Sequence, residues 1–64
     1  MLHAGYEYEI RLHRADGTLS IVLMTLALTH EQAKTQACAL LRNGMANAHV
    51  WRDGELVDSL RAAA

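Results

Sequence analysis

The sequence predicts an α+β domain in which two antiparallel hairpins form a four-stranded sheet with one helix on one face, in the order ββαββ. Three observations predict it. Tyr6–His13 alternates strictly between apolar and polar residues; Asp-Gly pairs stand at 16–17 and 53–54; and a helix-capping signature occupies residues 29–32.

Tyr6, Tyr8, Ile10 and Leu12 fall on one face of the first strand, and Glu7, Glu9, Arg11 and His13 on the other, the period of two that a half-buried strand requires. This strand is predicted over residues 6–14. Asp16-Gly17 then reads as a hairpin turn, glycine supplying the positive φ. The second strand, residues 19–28, contains LSIVLMTLAL and is apolar at both parities. The expected register is that of a two-residue turn, which pairs Leu12 with Ile21, Ile10 with Leu23 and Tyr8 with Thr25 and also sets polar His13 opposite polar Ser20. A type I turn with a glycine bulge shifts the pairing by one residue and exchanges the two faces of the second strand.

Thr29-His30-Glu31-Gln32 reads as a capping box, the Thr29 hydroxyl accepting from the Gln32 amide and the Gln32 side chain returning to the Thr29 amide. The helix is predicted over residues 30–43, with Ala33, Ala37, Cys38, Leu40, Leu41 and Met45 on its apolar arc,. Gly44 takes the position after the helix where glycine ends the turn, and Cys38 reads as a buried small hydrophobe. From Ala46 the period of two returns: a third strand over 46–52 directs Ala46, Ala48 and Val50 toward the helix and Asn47, His49 and Trp51 away from it. Asp53-Gly54 turns the chain into a fourth strand over 55–61, whose two-residue register would set His49 opposite Asp58.

At 64 residues the chain is one domain with a small core; a chain this short buries only about 60% of the surface its unfolded form exposes. Half its residues are hydrophobic, which excludes disorder. The net charge is −1, with the six cationic residues dispersed among seven acids, so the basic stripe of a nucleic-acid-binding protein is missing. One cysteine makes neither a disulfide nor a zinc set and suits a reducing cytoplasm. The first residues lack the pattern of a signal peptide, and the apolar run 19–28 is about half of what a membrane-spanning helix needs.

No arrangement in the sequence supplies a catalytic nucleophile with its base, and no cofactor is implied. His3, His13, His30 and His49 lack the local spacing of a metal site. The informative feature is geometric. Four strands about 4.8 Å apart make a sheet nearly 20 Å wide, and one helix is about 10–12 Å across, so one face stays uncovered. That face receives Val22, Met24 and Leu26 from the second strand and His49 and Trp51 from the third, beside Glu7, Glu9 and Arg11. An apolar patch rimmed by charge marks a partner surface, tryptophan is a frequent interface anchor, and a self-complementary patch most simply forms a two-fold dimer. Two sheets packed face to face would bury the second strand on both sides.

The runs Leu28-Thr29-His30-Glu31-Gln32-Ala33, Ala39-Leu40-Leu41-Arg42-Asn43-Gly44 and His49-Val50-Trp51-Arg52-Asp53-Gly54-Glu55-Leu56-Val57 resemble a hairpin–helix–hairpin pattern with a Val-Trp third strand in very small bacterial proteins of no assigned activity. The resemblance spans about residues 6–61 and implies the same fold. The expectation from the sequence is a non-enzymatic, cytoplasmic, self-associating interaction module, a homodimer through Val22, Met24, Leu26, His49 and Trp51, with an unidentified protein as a further possible partner. The alternative is a ligand- or single-stranded nucleic-acid-binding protein that uses Glu9, Arg11, His49 and Trp51 on the same face.

Overall fold

Alternation and turn chemistry produce the expected ββαββ order in the computed structural model, which describes residues 5–41 and 44–62. The elements are β1 (Tyr6–Arg14), β2 (Leu19–Ala27), α1 (His30–Leu40), β3 (Met45–Arg52) and β4 (Glu55–Arg61). The strands form one antiparallel sheet in the order β2-β1-β3-β4, so the two hairpins meet through β1 and β3 while β2 and β4 are the edges. The predicted second strand extends one residue too far, to Leu28, and β3 begins one residue earlier than expected. The predicted Met1–Ala4 terminus, with His3, and the helix extension through Arg42 and Asn43 lie outside the described residues.

The core follows the alternation. Tyr8, Ile10 and Leu12 from β1 and Ala48 and Val50 from β3 are buried beneath α1, which contributes Ala33 and Ala37; Ala27 and Leu41 complete the cluster. Three alanines at the helix–sheet contact let the two layers approach closely. Cys38, expected inside, is exposed: the buried stripe runs through Ala33, Ala37 and Leu41, and the next residue along the helix is rotated by about 100° from Ala37. Met45 belongs to β3 and packs against the core from there.

Thr29 caps α1, its hydroxyl accepting from the Gln32 amide at 3.1 Å. The reciprocal half of the capping box is displaced by one residue, because the Gln32 side chain accepts from the Leu28 amide at 2.8 Å instead of from Thr29. α1 closes with the Leu41 amide on the Cys38 carbonyl at 3.2 Å, a tightened last turn that ends the helix at Leu40.

The first hairpin corrects the sequence reading of its turn and preserves the pairing. Gly17 donates to the Arg14 carbonyl and Arg14 to the Thr18 carbonyl, each at 2.9 Å, with Gly17 at φ +89°. This is a type I turn with a glycine bulge, the arrangement expected to exchange the faces of β2. It does not, because Ser20 forms a second bulge: His13 pairs with Leu19 rather than Ser20, and Leu12 then pairs with Ile21, Ile10 with Leu23 and Tyr8 with Thr25. One extra residue in the turn and one in the strand cancel.

The second hairpin turns at Asp53 and Gly54, both at positive φ, as its two-residue loop requires. A bulge at Val57 moves the register beyond it, so that His49 faces Ser59 and Asp58 faces Val50. The expected His49–Asp58 pair is not formed.

Candidate functional site

The face of the sheet opposite α1 is organised as rows across the strands. One row reads Met24, Glu9, Trp51, Leu56 and the next Val22, Arg11, His49, Ser59. Val22, Met24, Leu26, His49 and Trp51 therefore share the predicted face. The three residues of β2 are the bare ones, at 49, 53 and 57% exposure, whereas Trp51 and His49 are half-buried.

The arrangement of charge explains the difference. Arg11 lies between the two apolar groups and makes two contacts at once. Its Nε is ion-paired with the Glu9 carboxylate, and its guanidinium sits 4.7 Å from the centre of the Trp51 ring, within cation–π range. His13 and His49 pack ring against ring, with centroids 4.7 Å apart and planes at 49°. The predicted continuous patch is thus divided: Glu9, Arg11 and His13 run down β1 as a polar stripe, with the aliphatic β2 on one side and Trp51 and Leu56 on the other. The sequence placed these residues on one face by parity but could not show the stripe, because the strand order that inserts β1 between β2 and β3 is a tertiary property.

A cleft of about 370 Å³ opens at the Trp51 end of the sheet, lined among others by Glu9, Arg11, Met24 and Trp51. At its rim the Arg52 guanidinium lies 3.8 Å from the centre of the Tyr6 ring. Trp51 Nε1 and His13 Nδ1 are buried without a hydrogen-bond partner among the described residues. Among those residues no group of three or more His, Cys, Asp or Glu could hold a metal ion, and no helix is long and apolar enough to cross a membrane.

β2 stands apart from the other strands. Leu19 and Ile21 are also half exposed, so the strand presents aliphatic side chains on both faces. Its C-terminal end is hydrogen-bonded to α1: the Gln36 side chain donates to the Leu26 carbonyl at 3.3 Å and accepts from the Thr25 hydroxyl, while Gln32 holds the Leu28 amide just beyond the strand. The accessible surface of the chain is 4544 Å², against roughly 4,100 Å² for a folded monomer of this mass.

Comparison of the chain with protein-family models, with curated proteins and with solved structures finds no match in any of the three.

Proposed function

We propose that this chain is a non-enzymatic, self-associating interaction module, a homodimer with β2 at the centre of contact. The observation that carries the reading is the exposure of Val22, Met24 and Leu26 at about half or more on a strand with no charged residue between Leu19 and Leu28. Removing such a strip from water is the main driving force of association, and a domain of this size gains most from it. Light scattering coupled to size exclusion, on a dilution series, tests the proposal. A mass near twice 7.1 kDa that falls toward one copy on dilution is the expected result, and Met24→Glu is expected to yield monomers. A wild-type mass of one copy at every concentration would overturn it.

The second reading, a ligand- or single-stranded nucleic-acid-binding protein, has the cleft beside Trp51 in its favour. Against it, Arg11 already occupies a face of the indole on which a base would stack, and Glu7 and Glu9 line the same cleft. Titration of Trp51 fluorescence with oligonucleotides separates the two readings, a saturable change supporting the second.

A further inference from the structure

The geometry points to association edge to edge: β2 of one copy pairs antiparallel with β2 of a second about a two-fold axis at Leu23, joining two four-stranded sheets into one of eight. This rests on the self-associating reading above and adds to it the main-chain groups that make the contact.

The two edges of the sheet are built differently. β4 carries Glu55, Asp58 and Arg61 and a bulge at Val57, the devices by which an edge strand is kept from pairing further. β2 has no charge and no proline, and its one bulge, at Ser20, lies near its start. From Ile21 onward the strand is regular.

The direction of its main-chain groups follows from the helix. Successive residues of an antiparallel strand turn their N–H and C=O groups to opposite sides. The Leu26 carbonyl is taken by Gln36 and the Leu28 amide by Gln32, so the even-numbered residues here face away from β1. Val22 and Met24 have the same parity, lie beyond the reach of those two contacts, and present their N–H and C=O groups at an edge that has no neighbouring strand among the described residues.

A two-fold axis at Leu23 sets Val22 of each copy opposite Met24 of the other. The two rungs use all four outward groups of each copy's Val22 and Met24 in four hydrogen bonds. They leave the bulge at Ser20 and the capped Leu26 carbonyl outside the ladder. A second copy is the occupant that this edge fits. Neither strand of the pair carries a charge to repel the other, and the contact closes after two chains. Pairing of β2 with a neighbour's β4 would set Glu55, Asp58 and Arg61 beside aliphatic side chains and would propagate as an open chain of copies.

The test compares Met24→Pro with Met24→Ala and Trp51→Ala by light scattering, each against the wild type. Proline removes the outward N–H from both copies while leaving every bond between β2 and β1 intact; alanine shortens the side chain and keeps the N–H. Two lost hydrogen bonds weaken the dimer by roughly 30-fold or more. The expected result is therefore a monomeric, folded Met24→Pro beside dimeric Met24→Ala and Trp51→Ala. Amide hydrogen exchange of the wild type gives a second readout independent of the variants, with Val22 and Met24 protected in the dimer and losing protection on dilution. A dimer that survives Met24→Pro, or one whose Val22 and Met24 amides exchange freely, overturns edge pairing while self-association stands. If Trp51→Ala dissociates it instead, the two sheets meet face to face. A wild type that is monomeric throughout overturns both the inference and the reading beneath it.

Discussion

Gly5 stands where the chain enters β1, at φ +105°, and a Cβ added there would lie 2.8 Å from the Ala27 carbonyl oxygen and 3.0 Å from its carbon. Both contacts are with main chain at the end of β2, so no side-chain rotation relieves them. Gly5→Ala therefore suffers two penalties: a positive φ, about 1–2 kcal/mol for a residue with a Cβ, and displacement of either β1 or Ala27, which brings the total to about 2–4 kcal/mol. A domain of this length has only about 3–10 kcal/mol of stability, and each kcal/mol moves the midpoint by about 4–8 °C. A fall in Tm of at least about 8 °C follows. Gly17→Ala is the control. It has a similar φ, +89°, but nothing within 4 Å of the added carbon, so it bears the backbone penalty alone, about 1–2 kcal/mol. The small stabilisation that alanine confers through the unfolded chain is common to both and cancels in the comparison. Thermal unfolding followed by circular dichroism, at one protein concentration, reads the difference. Equal losses in the two variants would refute the close approach of residue 5 to Ala27.

Gln36→Ala removes the partner of both the Thr25 hydroxyl and the Leu26 carbonyl; a loss of about 1–2 kcal/mol is expected in urea unfolding, with an unchanged slope. Ile10→Ala empties a fully buried position at the centre of the core and should remove about 2–5 kcal/mol, a large share of the total, read as a lower urea midpoint in the same assay. Asp16 gives a pH dependence. The Thr18 hydroxyl and amide both donate to its carboxylate and hold its pKa below the ordinary 3.8. Stability from this turn is thus present above the ordinary carboxylate pKa and lost as pH falls through the lower folded value. NMR titration of the Asp16 carboxyl, with the Thr18 amide as reporter, should show a midpoint under 3.8, and a midpoint at or above that value would contradict the turn geometry.

What was legible in the sequence was local. Period-two alternation from Tyr6 to His13, the Thr29 cap and the two Asp-Gly pairs located all five elements to within a few residues, because each reflects a neighbour-to-neighbour constraint. The pairing of Ile10 with Leu23 was also legible, although the turn assigned to produce it was wrong: burial of Tyr8, Ile10 and Leu12 decides which side of β2 faces inward, and the strand adjusts at Ser20 to satisfy it. His49 and Asp58 failed to meet for a similar reason. A bulge at Val57 arises within the packed sheet and leaves no composition signal. The helix arc was drawn too wide at Cys38, since the pattern of small residues does not show how narrow a stripe touches the sheet. The candidate face was readable from parity, but its division by Glu9, Arg11 and His13 depends on β1 lying between β2 and β3, which no local pattern encodes.

The paired irregularities of the first hairpin tie its length to its orientation. The glycine bulge at the turn and the extra residue at Ser20 each move β2 by one position, in opposite senses. Straightening the strand at Ser20 with no residue removed would set Ser20 opposite Leu12, present Val22, Met24 and Leu26 to the helix and turn Ile21 and Leu23 outward, whereas deletion of Ser20 would keep Ile21 opposite Leu12,. The bulge is therefore the place where a change of length in this hairpin is absorbed, a slack position that lets the turn and the core-facing side of the strand each keep their own geometry,.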